Sequence, residues 1–149
     1  LKQPQNGSCV FGLSIREYYN LSDAELDYMI DESFIGGPSG GFMQFLHIYN
    51  VLTEDDITQG LKIAGTGQIY INGDVGPIGG VTQKVYTAHY NDVDILFVPR
   101  LNDANYNDNY QEALRAMETL DTEMTLVGVS NWLEAVNYLI ALGGEDNNV

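Results

Sequence analysis

The sequence predicts a mixed α/β domain, and three observations carry that expectation. Short apolar runs of strand composition, such as Ile95-Leu96-Phe97-Val98-Pro99, alternate along the chain with longer segments of helical pattern. Glycine-, proline- and asparagine-rich turns separate them, the clearest being Asn72-Gly73. The composition, 44% hydrophobic and 18% charged, is that of a globular chain and not a disordered one. The 149 residues fit one domain spanning 1–149. A chain of this size buries about two thirds of its unfolded surface and needs no disulfide or metal staple.

Taken in order, residues 9–19 alternate loosely and are rich in Val, Phe, Ile and Tyr, which predicts a strand. Asn20-Leu21-Ser22-Asp23 has turn chemistry. Residues 25–32 alternate acidic and apolar, as a half-buried strand does. Residues 34–41 form a Gly/Pro loop. The next stretch carries Phe42, Met43, Phe45, Leu46, Ile48, Tyr49 and Val51, apolar on nearly every side, and predicts a helix buried within the domain. Thr53 followed by Glu54, Asp55 and Asp56 predicts an N-cap and the acidic first turn of a short helix. Residues 62–67 and 68–71 are short strand candidates, and Asn72-Gly73 after them is a hairpin signal with an expected type I′ turn. Gly79-Gly80 precedes a helix over 81–91, and a strand covers 95–99. A helix over 104–120, a strand over 124–129 and a last helix follow. Ser130 is the expected cap of that helix, with Trp132, Leu133, Val136, Leu139 and Ile140 on its apolar face.

Six basic residues against 21 acidic ones give a formal charge of −15. That argues against nucleic acid and anionic membrane surfaces, which both demand positive charge, and suits a solvated acidic exterior or cationic peptides. The acidic group Asp23, Glu25, Asp27, Asp31 and Glu32 is expected to be a solvated strand face. The lone Cys9 cannot form an internal disulfide, and no Cys/His cluster has zinc spacing, so no metal and no cofactor is expected. No apolar run approaches the roughly 20 residues of a transmembrane helix. The start at Leu1-Lys2-Gln3-Pro4 is expected to be a cut from a longer protein.

Two stretches carry chemistry. Gly36-Gly37-Pro38-Ser39-Gly40-Gly41 sets one serine among four glycines and a proline, directly before a helix. Glycines allow positive φ and close approach of a ligand, and a helix N-terminus offers free N–H groups to an oxyanion. Ser39 could equally be only an N-cap. Residues 37–41 also match G-x-S-x-G, but a nucleophile elbow needs a preceding apolar strand and a later acid and histidine. The histidines are His47, expected in the core or at a subunit contact, and His89, expected at the surface. The second stretch, Gly76-Pro77-Ile78-Gly79-Gly80-Val81-Thr82-Gln83-Lys84, puts a rare lysine just inside a helix. A helix N-terminus and apolar burial would both lower its pKa, so that neutral Lys84 could accept a serine proton. Spacing alone does not bring Ser39 and Lys84 together. Tyr70, Tyr86, Tyr90, Tyr106 and Tyr110 could line a groove or an oligomer face.

The blocks IGGPSGGFMQFLHIYNVLT, KIAGTGQIYINGDVGPIGGVTQKV and ILFVP, with the weaker tail MTLVGVSNWLEAVNYL, resemble the proteolytic domain of the Lon family, peptidase family S16. They are most similar to the ATP-independent, membrane-anchored, PDZ-containing Lon-like peptidases of Gram-positive bacteria. The resemblance implies the Lon proteolytic fold, related to the second domain of ribosomal protein S5, and a Ser-Lys endopeptidase acting on unstructured peptide or protein. It implies Ser39 as nucleophile, Lys84 as base, and Thr66 as a hydrogen-bonding support that orients Lys84. It implies an oxyanion loop around Gly37, Pro38 and Gly40. It further implies an upstream PDZ domain, a membrane anchor and an extracytoplasmic site. Substrate pairing along a strand edge near residues 31–35 is expected, and a homo-oligomer is left open. Two positions depart from the pattern: Gly40 replaces the usual Ala, and Gln68 stands where ATP-dependent members carry an acid. No GxxxxGK[ST] phosphate loop occurs in the chain. A peptide-binding domain with a silent dyad, or a hydrolase with a histidine base, are the alternatives.

Overall fold

In the computed structural model, which describes residues 37–101 and 108–145, a 3-10 turn (Pro38–Gly40) leads into α1 (Gly41–Leu52). Then follow β1 (Ile63–Gly65), β2 (Gln68–Ile69), β3 (Val75–Gly76), α2 (Val81–Tyr90), β4 (Ile95–Pro99), α3 (Asn109–Met117), β5 (Thr125–Val129) and α4 (Trp132–Glu145). The strands expected over 9–19 and 25–32, the acidic group at 23–32, Cys9, Tyr106 and the expected substrate edge lie outside the described residues.

The parallel sheet has the order β1-β4-β5, with Gly65 opposite Phe97 and Phe97 opposite Val127. All five residues of β4 are buried, the mark of a central parallel strand covered on both faces. Its side chains divide by the two-residue period of a strand. Ile95 and Phe97 join Phe42 and Leu46 of α1 and Ala135, Val136 and Leu139 of α4. Leu96 and Val98 join Val81, Val85 and Ala88 of α2 and Ala113 and Ala116 of α3. Three layers result, helices over each face of one sheet, and the mixed α/β expectation holds. The Phe97 ring meets those of Phe42 and Tyr138 edge to face, at 6.3 and 6.0 Å between centroids. A separate antiparallel pair, β2 with β3, lies between β1 and α2 in the chain.

Several local expectations are corrected. Helix α1 is not buried on every side. Phe42 and Leu46 face the core, whereas Phe45 is at the surface and Val51 and Leu52 are more than half exposed. A helix lying on a sheet has only one stripe to bury. His47 is likewise exposed, not in the core. Thr53 ends α1 instead of starting a helix: its N–H donates to Tyr49 O and its hydroxyl to Asn50 O and Asp55 O. The acids after it shape a turn, in which the Asp56 carboxylate accepts from the Thr58 hydroxyl, the Thr58 N–H and Asn50 Nδ2. Those donors, the Thr58 hydroxyl foremost, hold the Asp56 carboxyl below its ordinary value.

The hairpin at Asn72-Gly73 exists with a different turn. Gly73 alone has positive φ (88°), Gly73 N–H donates to Tyr70 O, and Tyr70 N–H donates to Asp74 O. That is a three-residue loop ending in a left-handed glycine, not a type I′ turn. Helix α3 starts at Asn109, with Asp108 as its N-cap accepting from Tyr110 N–H, and stops at Met117. The strand expected over 62–67 is only Ile63–Gly65. At the head of α4, Asn131 supplies the cap by accepting from Leu133 N–H, while Ser130 donates its N–H and hydroxyl to the Glu134 carboxylate. Leu133 and Ile140 are about half exposed, so the apolar face is narrower than expected.

Replacing Phe97 with Ala is expected to cost about 3–5 kcal/mol in urea unfolding. Ile71→Ser, at a side chain 98% exposed, should change stability by no more than about 0.5 kcal/mol. Asp56 adds a pH signature. Because its folded-state pKa is depressed, its stabilisation is present above the unfolded value of about 3.9 and is lost as pH falls through the lower folded value. The difference in urea midpoint between wild type and Asp56→Ala should hold steady near neutrality and shrink in acid.

Candidate active site

The site forms at the carboxyl end of β1, the edge where open α/β sheets gather ligands. Gly37 enters the serine loop at φ 95°, ψ 156°, a conformation open to glycine and closed to residues with a Cβ. Pro38 opens the 3-10 turn, where its fixed φ suits the helix and its missing N–H costs nothing. The Gly41 N–H closes the turn on Pro38 O, and α1 continues from there. The Ser39 N–H therefore falls in the first turn, where a helix has no acceptor of its own to offer. Ser39 itself is half-buried.

The Ser39 backbone is tied to the end of β1. Its carbonyl accepts from the Thr66 hydroxyl at 3.0 Å and from Gly67 N–H at 2.8 Å. Phe42 N–H returns a bond to Gly67 O at 3.1 Å. Thr66 is 2% exposed and donates its own N–H to Phe97 O at 3.0 Å, so the loop is anchored to the central strand. Gly67 is a close-packed point, since a Cβ there would lie 2.5 Å from Val75 Cγ1 and 3.3 Å from Phe42 Cβ.

Lys84 arrives from the other flank. Gly80 takes the left-handed conformation (φ 68°, ψ 40°) and turns the chain into α2, one turn before Lys84. Lys84 lines a cleft of about 420 Å³ with Ala64, Gly65, Ala88 and Leu96 among its walls. Ser39 and Lys84 thus border the same short segment, residues 64–67, from two sides. Two expectations about the lysine are altered. It is half-exposed and not sunk in an apolar pocket, and its ammonium donates to Gly79 O at 2.9 Å. The Thr66 hydroxyl holds the Ser39 carbonyl and not Lys84. Among the described residues no hydrogen bond links Ser39 to Lys84.

Asn109 and Glu112, absent from the sequence-derived site, hold the lysine loop: Asn109 bonds the Ile78 backbone and Glu112 bonds Thr82. The available signal was Asp108-Asn109 as a helix start, obscured by a helix pattern that extended back to residue 104. Neither histidine joins Ser39. His89, half-buried, lines a separate cleft of about 600 Å³ with Asp94, Ile95, Met124 and Thr125, at the amino ends of β4 and β5. That is the opposite edge of the sheet from Thr66. Among the described residues no group of His, Cys, Asp and Glu is placed to hold a metal ion. No helix among them is long and apolar enough to cross a membrane.

These features define a three-layer α/β domain with a glycine-rich serine loop and a lysine-bearing helix at one sheet edge. The family model for the Lon protease (S16) C-terminal proteolytic domain matches residues 34–132. The chain belongs to that family. It is 36% identical over 76 residues, 51% of its length, to a Lon protease of Mesomycoplasma hyopneumoniae. It is 26% identical over 133 residues, 88% of its length, to one of Clostridioides difficile. The chain spans only 8% and 16% of those two relatives.

Thr66→Val keeps the shape of the side chain and deletes the hydroxyl on Ser39 O. We expect a loss of about 1 kcal/mol in urea unfolding, with Gly67 N–H still holding that carbonyl. An unchanged midpoint would show that the bond does not secure the loop.

Proposed function

We propose that this domain is an ATP-independent serine endopeptidase in which Ser39 is the nucleophile and Lys84 the general base. The observation that carries the proposal is the convergence of the Ser39 loop and the Lys84 cleft on residues 64–67. Lys84 as a neutral amine has two N–H groups and one lone pair. One N–H can stay on Gly79 O while the lone pair takes the Ser39 proton. The Ser39 oxygen then bonds to the peptide carbonyl carbon, and the oxyanion develops towards free N–H groups of the loop around Gly37, Pro38 and Gly40. Collapse breaks the C–N bond, Lys84 returns its proton to the leaving amine, and water, deprotonated by Lys84, releases the acyl group. Unstructured peptide or protein is the substrate, since an extended chain can pair along a strand edge.

ATP independence follows the motif resemblance, in which Gln68 stands where ATP-dependent members carry an acid. Gln68 Nε2 donates to Pro77 O at 2.6 Å and ties the hairpin to the lysine loop. An ionised acid at that position would have no proton to donate. The motif resemblance extends the proposal to an upstream PDZ domain, a membrane anchor and cleavage outside the cytoplasm. The contact of Lys84 with Gly79 instead of Ser39 favours the second reading, a peptide-binding domain with a silent dyad.

Casein cleavage by wild type, Ser39→Ala and Lys84→Ala across neutral to alkaline pH separates these readings. The expected result is cleavage by wild type alone. Each variant should fall by a factor of about 10⁴ or more. Cleavage by Lys84→Ala at the wild-type rate would remove Lys84 as base. Cleavage by none of the three proteins would favour the silent domain.

A further inference from the structure

Among the described residues the buried polar side chains are Thr66 and Asn109. Thr66 grips the serine loop. Asn109, 3% exposed at the first position of α3, grips the lysine loop. Its Oδ1 accepts from Ile78 N–H at 2.9 Å and its Nδ2 donates to Ile78 O at 3.0 Å. Both backbone groups of one residue are satisfied by one side-chain amide, as a neighbouring strand would satisfy them. One turn further along α3, the Glu112 carboxylate accepts from Thr82 N–H at 3.3 Å and from the Thr82 hydroxyl at 3.1 Å. The two grips stand on either side of Gly79-Gly80. Between them, Gly79 O receives the Lys84 ammonium. A Cβ built on Gly79 would meet no atom within 4 Å, so nothing packs against the loop on that side.

We propose that Asn109 is a positioning residue for Lys84, acting through the Ile78-Gly79 backbone to set where the lysine amine stands relative to Ser39. The inference rests on the peptidase proposal. The amide is suited to the task because it supplies an acceptor and a donor side by side; a carboxylate supplies only acceptors. Removal of the clamp frees Ile78 and with it the Gly79 carbonyl, and a base displaced by about 1 Å costs about 100-fold in rate. Substrate contacts do not involve Asn109, so the loss falls on kcat and not on KM.

The test compares wild type, Asn109→Ala, Asn109→Asp and Ala116→Gly in the full chain, with Ser39→Ala as reference. Ala116 is buried in the same helix and has no hydrogen-bonding side chain, so it reports the effect of destabilising α3 without removing a loop bond. Steady-state peptide cleavage gives kcat and KM. The ε-CH2 carbon signal of Lys84, one of three lysines and assigned by its loss in Lys84→Arg, reports the lysine independently of turnover. Asn109→Ala should lower kcat by about 10- to 100-fold with KM unchanged and should move the Lys84 signal. Ala116→Gly should leave both in place. Asn109→Asp, which keeps the volume and the Ile78 N–H bond, decides the matter should Asn109→Ala not fold, and should show the same signature. Wild-type kcat and an unmoved Lys84 signal in a folded Asn109 variant would overturn the inference while Ser39 dependence stands. A moved signal together with cleavage by Ser39→Ala at the wild-type rate would uphold the positioning role and sink the peptidase proposal instead.

Discussion

Strand β4 has no side on which a polar residue could stand. Ile95 and Phe97 are needed by the core beneath α1 and α4, and Leu96 and Val98 by the core beneath α2 and α3. Burial on both faces imposes helices on both faces, because each face of the sheet must be covered to remove it from water. Parallel pairing of β4 with β1 and β5 then requires long crossovers, and α2 and α3 lie in them. The lysine-bearing helix is therefore part of the solution to a packing problem before it is part of any chemistry.

The serine loop is attached to the same strand through backbone groups. Phe97 O receives Thr66 N–H, the Thr66 hydroxyl reaches Ser39 O, and Gly67 exchanges bonds with Ser39 and Phe42. The Phe97 ring at the other end of that residue fills the core between Phe42 and Tyr138. One residue thus couples apolar packing to the placement of the Ser39 backbone. Gly67 permits this closeness, since Val75 and Phe42 occupy the space where a side chain would go.

The lysine flank is built differently. Its loop carries Gly79 and Gly80, has little packing at Gly79, and is held by polar grips from the first turns of α3. The serine loop is bonded to the central strand, whereas the lysine loop is held by a few side-chain hydrogen bonds. Glu112, placed at the N-terminus of α2, also meets that helix where a negative charge is favoured by its dipole.

The sequence by itself determined the α/β class, the buried run at 95–99, the existence of the hairpin, and the two glycine-rich loops that carry Ser39 and Lys84. These features are local: strand and helix periods, and glycine where the backbone turns back on itself. The tertiary structure alone decided which stripe of α1 is buried, that Thr53 ends a helix instead of beginning one, and that Asn131 rather than Ser130 caps α4. It alone decided that Thr66 holds Ser39 and that Asn109 and Glu112 hold the lysine loop, partners 27 to 31 residues distant in the chain. Side-chain hydrogen bonds over such separations leave no periodic trace. A buried asparagine also has the same sequence signature as a solvated one, until the neighbouring backbone that it satisfies is in place.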